Sequence, residues 1–501
     1  MMQKLLFIWL LFLPAIVFSQ SSNYWSRNFN EESSLLSGAV VGGGSGASAI
    51  FYNPASISEI EESKLSLNAS LFSVDILNAK NAWGEDLDFY DSRGYVIPRF
   101  LSYMIKLKKL ENWSFEVAFL NNANFLTESV NYVDKEIDIL THLPGEERYT
   151  SFAKYSNKIR DDWFGMGASF KISDKLSLGS SMFVSAKTID YAYMLDIEAG
   201  PIIDHSNPEE LRDYYSAKYY NQEYLRFTDY RVLWKIGLLY MADQFSIGVN
   251  ITTPSLGKIY SDGKRILHKS SQSNITDPET GKPIPNYLIV DYKEKENVNV
   301  DAKSPFSIST GFTYHNPQQT KTLYITFEYF AKIDPYRVAQ ANESDNISSG
   351  PLIIDGSSSD WLTFVSGAKQ IFNVAVGYRW KIKDDVMLFS GFRTDFNFKK
   401  NFDFSPYAES KTIKSFDLDK YHITSGLTVK VLGQDLITGL QYSFGIERNQ
   451  KQFVNLSNPV EFNRVEHRAL QGTRTNTMNT MSHSISLYFG ATINFGSNDI
   501  K

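Results

Sequence analysis

The residues of this chain that could do chemistry are few and badly spaced for it. The seven histidines stand at 142, 205, 268, 315, 422, 467 and 483, with no His-Glu-x-x-His and no spacing that gathers metal ligands. Cysteine is absent, which excludes a disulfide framework, a thiolate cluster, a thiol nucleophile and lipid attachment through an N-terminal cysteine. Gly43-Gly44-Ser45-Gly46-Ala47 misses the Gly-x-Ser-x-Gly nucleophile elbow at its last position. Gly44 to Ala49 matches a dinucleotide fingerprint only nominally, because no βαβ unit follows, and no Gly-Lys-Ser/Thr phosphate loop occurs. The expectation is a protein that is not an enzyme, with no catalytic, cofactor-binding or metal-binding residues and no cofactor. A rim hydrolase whose Ser and His lie far apart in sequence stays open.

What remains is binding chemistry. Arg379 and Arg393 fall on one small, polar strand face together with Glu116, Lys187, Glu328 and Asp395. A guanidinium suits a carboxylate because its donors bind it bidentately. Both arginines are therefore candidate lumenal contacts for an anionic head group. The alternative is a salt-bridge network that fills a lumen and keeps its wall rigid. The Tyr-rich stretch 209–230, with Tyr214, Tyr215, Tyr219, Tyr220 and Tyr224, reads as a strand extension or cap in preference to a ligand-gathering surface.

The elements that would hold these residues show strict period-two alternation. Phe164, Met166, Ala168, Phe170 and Ile172 share a face opposite Gly165, Gly167, Ser169 and Lys171. Leu176, Leu178, Met182 and Val184 oppose Ser177, Gly179, Ser181 and Ser185. Ile485, Leu487, Phe489, Ala491, Ile493 and Phe495 oppose Ser484, Ser486, Gly490, Thr492 and Asn494. Similar patterns recur at 113–120, 245–252, 306–315, 323–330, 371–382, 386–398 and 436–446, with weaker ones at 65–75, 95–106, 223–241 and 421–431.

Short polar turns (Leu107–Asn112, Ser173–Lys175, Ala242–Gln244, Asn316–Thr320, Lys383–Asp385, Leu432–Asp435) alternate with long stretches at 77–94, 127–156, 195–222, 255–302, 337–369, 399–420 and 447–481. A soluble sandwich has no reason to sort its connections by length, but a membrane barrel does. The reading is all-β: a transmembrane antiparallel β-barrel of about fourteen strands, an even number as such barrels require. Both termini then fall on the short-turn, periplasmic side. Strands longer than the roughly 9–11 residues that span a bilayer would carry the wall beyond the outer surface.

Composition agrees. Hydrophobic residues make up 43% and aromatics 14%, with 29 Tyr and 35 Phe, which fits interfacial girdles. Mean hydropathy is -0.27. After the first twenty residues no apolar run approaches the ~18 needed for a spanning helix. A net charge of -6 argues against a nucleic-acid partner. Lys4 followed by apolar Leu5 to Phe18, with small Val17 and Ser19, reads as a secretory signal peptide over 1–19. Export and barrel patterning together point to a Gram-negative outer membrane, with its lipid as partner and a monomeric barrel.

Residues 20–63 do not alternate and read as a compact plug, ahead of a barrel at 64–495 and a periplasmic tail at 496–501. The small-residue run Leu35 to Ile50 leads into Phe51-Tyr52-Asn53-Pro54-Ala55. This segment resembles the hatch of the FadL family of outer-membrane transporters, with Asn53, Pro54 and Ala55 on the Asn-Pro-Ala motif. Gly248 to Ser255 also resembles a strand ending common in that family. Two departures stand out: Ser56-Ile57 follows the motif where the family usually has Gly-Leu, and Phe495 is followed by six further residues.

The resemblance implies a fourteen-stranded barrel with an N-terminal hatch. It also implies passive transport of a hydrophobic small molecule, such as a long-chain fatty acid, leaving sideways through the wall. Some Bacteroidetes-type relatives imply another role, a structural adaptor with a protein partner in a secretion or barrel-assembly complex.

Overall fold

The fold was established from a computed structural model that describes residues 22–143, 145–201, 215–284, 299–340, 363–405, 407, 412–431 and 434–494. The expected signal peptide, the tail with Phe495, Tyr214 and most of 337–369 lie outside these residues.

The strands are β1 (Lys64–Gly84), β2 (Leu87–Lys106), β3 (Trp113–Ile137), β4 (Glu147–Ser173), β5 (Leu176–Pro201), β6 (Ala217–Met241), β7 (Phe245–Thr252), β8 (Leu256–Ser273), β9 (Asn299–Val300) and β10 (Ser307–His315). They continue as β11 (Lys321–Phe330), β12 (Ile333–Gln340), β13 (Thr363–Ala368), β14 (Ile371–Lys383), β15 (Val386–Asp395), β16 (Lys420–Val431), β17 (Gln434–Gln450), β18 (Phe462–Asn463), β19 (Arg468–Ala469) and β20 (Met478–Asn494).

Among the described residues one sheet holds 15 strands in the order β5-β4-β3-β2-β1-β20-β17-β16-β15-β14-β11-β10-β7-β6-β8, and a β5–β6 pairing closes it into a ring from which β8 branches. Its ladders are antiparallel, and β1 and β20 meet with Lys64 opposite Asn494 at the short-turn rim. β7 and β8 both pair with β6, one below the other. The break between them falls at Thr253–Ser255, at the end of the Gly248–Ser255 stretch. There Thr253 closes it by donating its N–H to the Trp234 carbonyl at 2.9 Å.

Burial is inverted at the lower end. Phe164, Met166, Leu178, Trp234, Phe312, Phe372 and Leu487 are exposed, while Ser102, Glu116, Ser181, Thr326 and Ser486 are buried. Such a wall is stable only with hydrocarbon outside, and closure leaves no ladder edge to desolvate there. The chain is a transmembrane β-barrel.

Higher up, the faces exchange chemistry. On β5 the inward side chains change from Ser177, Ser181 and Ser185 to Ile189, Tyr191, Tyr193, Leu195 and Ile197, all buried. The outward ones change from Leu178, Met182 and Val184 to Thr188, Asp190, Asp196 and Glu198. Above the lipid, water is outside and the apolar face must turn inward. This inversion corrects part of the sequence reading. Stretch 77–94 is not a long loop but the tip of the β1–β2 hairpin, turning at Glu85-Asp86, and most of 127–156 belongs to β3 and β4. The stretch at 195–222 is likewise strand at both ends, and 255–302 opens with β8.

The upper end is filled by an aromatic core. Trp83, Phe89, Tyr149, Tyr155, Tyr191 and Tyr193 from the wall pack with Phe416, Leu418, Phe453, Val454, Leu456 and Leu470 from the segments after β15 and β17. Tyr149 and Tyr155 fasten this cap by donating to the Leu470 and Lys414 carbonyls at 3.0 and 2.8 Å. Tyr219 and Tyr224 of the Tyr-rich stretch lie on β6 as strand residues.

Candidate functional site

Residues 22–60 lie within the ring. Helical turn α1 (Glu31–Leu35) touches β15, β16, β17 and β20, while the 3-10 turn Pro54–Glu59 touches β3, β4, β5 and β6 across the bore. A second turn, α2 (Ala49–Tyr52), leads into the Asn-Pro-Ala motif.

The motif is a cap and a clasp at once. Asn53 accepts the Ala55 N–H at 3.1 Å, capping a turn that begins with Pro54, where a missing N–H costs nothing. Its Nδ2 donates to the Val41 carbonyl at 2.9 Å and to the Leu238 carbonyl of β6 at 3.2 Å. Ile57, at one departure from the family pattern, is buried against Gly167 of β4. The wall makes room with glycine: a Cβ on Gly179 would strike the Pro54 backbone, one on Gly248 the Val41 carbonyl, and one on Gly311 the Gly42 amide.

Wall hydroxyls and one carboxylate satisfy the segment's backbone. Thr424 donates to the Leu35 carbonyl at 2.8 Å, Ser181 to Ile50 at 2.8 Å and Ser102 to Ala47 at 3.2 Å. Glu116 accepts the Ile50 N–H at 3.2 Å.

Above this segment and below the cap lies a cavity of about 220 Å³. Phe29, Phe51, Phe125, Ile159, Trp163, Ile189, Leu233 and Phe330 supply its apolar surface. Phe51 packs on Phe29 and Trp163 with ring centroids 4.4 and 5.7 Å apart, and the Lys235 ammonium sits 4.3 Å above its ring.

The candidate residues separate here. Arg393 lines the cavity, is 1% exposed, and hydrogen-bonds Asn28 through Nη1. Its Nε and Nη2 have no hydrogen-bond partner among the described residues. Lys187 and Glu328 also line the cavity, and Glu328 accepts the Trp25 indole N–H at 2.6 Å. Arg379 does not line it. It lies toward the short-turn rim, donating to Thr322 at 3.2 Å beside the ring of Tyr324, which itself meets Gly44 from below. Glu116 and Asp395 hold the inner segment; Asp395 accepts the Trp25 N–H at 2.8 Å.

Sequence reasoning missed Phe29, Phe125, Trp163 and Lys235. Trp163 carried a signal: it shares its strand face with Asp161, Gly165, Gly167 and Ser169, all small or polar, whereas Lys235 stands between Leu233 and Leu239 on its own face.

One side of the cavity reaches a discontinuity in the wall. Among the described residues β2 and β3 pair only from Phe100↔Leu120 down to Lys106↔Ser114. Directly above, β3 carries a bulge between Asn121 and Ala123. The Asn124 carbonyl, without a β2 partner there, accepts from Arg27 at 2.6 Å, and Arg27 also donates to Asn121 at 2.9 Å. Backbone left by a broken ladder must find such partners. Asn122, Ala123 and Phe125 line the cavity at this point. Higher still, Arg93 of β2 reaches Glu128 of β3 at 2.8 Å, bounding the gap from above.

No family model matches the chain, and no curated protein matches it in sequence. Solved structures do. A Pseudomonas aeruginosa FadL homologue superposes with a TM-score of 0.56 at 12% identity, over 96% of this chain and 100% of that one. The toluene transporters TodX of P. putida and TbuX of Ralstonia pickettii each give a TM-score of 0.52 at 12% identity, covering 93% of this chain and 99% and 98% of theirs. The chain has the fold of the FadL-type barrels.

Proposed function

We propose that this protein carries hydrophobic molecules passively across a Gram-negative outer membrane, with residues 20–63 as a fixed hatch and both termini periplasmic. The observation that carries the reading is the cavity above the hatch, which abuts the β2–β3 gap. A molecule held there has apolar walls around it, packed hatch below, and an interrupted ladder toward lipid. Sideways release spares it the aqueous periplasmic end of the bore. The Arg393 donors without partners suit the carboxylate of a fatty acid, and Phe51 and Trp163 suit its chain. The toluene and FadL-type transporters among the structural neighbours support the class.

The test is uptake of labelled dodecanoate and toluene by a deletion strain carrying the wild-type chain or Ala123→Trp. The tryptophan should fill the cavity at the gap and slow uptake severalfold, while Val130→Trp, higher on β3, should not. Equal uptake by all strains would remove the proposal. The structural-adaptor reading leaves the cavity without a role; a stoichiometric protein partner retained in mild detergent would favour it.

A further inference from the structure

The outward face of four neighbouring strands changes character above the lipid-facing belt. On β6 the belt ends at Tyr230, whose ring lies 6.2 Å from that of its cross-strand partner Tyr260 on β8. Aromatic girdles of this kind mark the level where acyl chains meet head groups. Four residues above Tyr230, Lys158 of β4, Asp190 of β5, Arg226 of β6 and Arg265 of β8 stand in register as one outward row. At ~3.3 Å per residue on a tilted strand, the row stands about 10 Å above the tyrosines. Lys158, Arg226 and Arg265 are exposed. Arg226 and Arg265 are direct cross-strand partners, and like charges so placed repel. Among the described residues, Asp190 is the carboxylate in the row, 3.6 Å from Arg226. The nearest others on these strands are engaged elsewhere: Asp162 pairs with Arg160, and Asp262 accepts the Gly263 N–H at 2.7 Å. The row thus carries three cations against one anion and faces outward.

We propose that this row binds the phosphorylated saccharide head of an outer-leaflet lipid, with one phosphate between Arg226 and Arg265 and a second at Lys158. The proposal rests on the outer-membrane placement with the short-turn rim periplasmic, and it is independent of what the lumen carries. Charge and height together select the occupant. With neighbouring strands about 4.8 Å apart, Lys158 and Arg226 stand about 10 Å from each other, so a head with two separated phosphates engages both ends of the row. Its acyl chains then lie along Phe164, Met182, Val184 and Trp234, which are exposed on the same three strands below. A soluble anion gains nothing from that apolar belt, whereas a lipid uses belt and row at once. Arg160, two residues below Lys158, is the cross-strand partner of Asn124, so the bound lipid stands beside the β2–β3 gap.

Native mass spectrometry of the full chain, released from phosphatidylcholine nanodiscs doped with bisphosphorylated lipid A or with the same lipid stripped of both phosphates, tests it. Wild type should retain the bisphosphorylated lipid preferentially. Lys158→Gln/Arg226→Gln/Arg265→Gln should weaken that retention at least about tenfold, the loss expected for three cations at a charged membrane surface, and leave the stripped lipid unchanged. Lys158→Arg/Arg226→Lys/Arg265→Lys, which keeps the charge, should bind as wild type; loss there too would trace the effect to altered structure and overturn the proposal. Millimolar inorganic phosphate should leave the lipid in place, and complete displacement would make the row a site for soluble anions instead. Equal retention of the two lipids by wild type sinks the row alone. Lys175→Gln/Lys321→Gln/Lys383→Gln, at the short-turn rim, should change nothing. If that variant loses the lipid and the upper one keeps it, the outer leaflet lies at the short-turn rim, and the placement falls together with the proposal.

Discussion

The side-chain oxygen of Asn53 occupies the space that a β-carbon on Gly237 would need. Pro54 Cδ and the Ala55 amide close the same space at 2.9 and 3.0 Å. Motif and wall are thus two halves of one contact, contributed from 184 residues apart in the numbering, 53 to 237. Gly237→Ala must displace the inner segment or the strand. Overpacking of this kind costs about 1–3 kcal/mol. The variant should unfold at lower denaturant and conduct ions in planar bilayers where wild type is nearly closed. Gly200→Ala, whose Cβ would meet Ser216 Cβ at 3.6 Å and the Tyr215 carbonyl at 4.0 Å, both ordinary contacts, should do neither.

Asn53→Ala removes the cap and both donations to the Val41 and Leu238 carbonyls. Loss of an N-cap alone costs about 1 kcal/mol. The first consequence should be local: faster hydrogen exchange at the Ala55 and Ser56 amides, with β-sheet circular dichroism unchanged. Unaltered exchange would show that packing against the glycines holds the segment without the clasp.

Arg393 and Arg379 should behave differently. Arg393→Gln removes donors from the cavity and should weaken dodecanoate binding about tenfold more than dodecanol binding. Arg379→Gln lies on the other side of the inner segment and should leave both unchanged. Equal effects from the two substitutions would mean that charge in the lumen acts only at long range.

Outside the membrane, Arg464 holds the Asp277 carboxylate down at about 2 by hydrogen bonding that outweighs burial. A depressed carboxylate contributes stability that is fully present above its unfolded value of 3.8 and is lost as pH falls through about 2. Proteolysis within 274–284 by an acid-active protease should therefore rise sharply between pH 4 and pH 2, limits set by those two values. Asp277→Asn should be equally sensitive at both ends of that interval.

The sequence disclosed the lower barrel well, and the physical reason is plain from β5. Below Lys187 the apolar side chains face hydrocarbon and every second residue is small, so alternation is clean. Above it, Asp190, Asp196 and Glu198 face outward between inward Tyr191, Tyr193 and Leu195, and charged, Tyr-rich segments look like loop. The same effect hid the β1–β2 tip, where Trp83 and Phe89 belong to the cap core. Asn53, Pro54 and Ala55 stood out in the sequence only by their resemblance to the family motif; the clasp to the Val41 and Leu238 carbonyls, which joins the inner segment to β6, was not legible. The cavity was not legible. Phe29, Phe125, Trp163 and Arg393 come from the inner segment, β3, β4 and β15, and only ring closure brings them together. The gap was hidden for a different reason: a missing ladder is a relation between two strands, and the bulge between Asn121 and Ala123 is recognised only from the register of β3 against β4.

The exchange of faces near Lys187 also fixes a height. Below it the wall is soluble only in oil and above it only in water, so the barrel cannot slide along the bilayer normal without exposing one end to the wrong solvent. The β2–β3 gap, set near Asp162 and Arg160 on the neighbouring strand, is thereby moored where acyl chains give way to head groups. On the proposed reading, with both termini periplasmic and release through the gap, the released molecule would meet the outer leaflet at its polar edge.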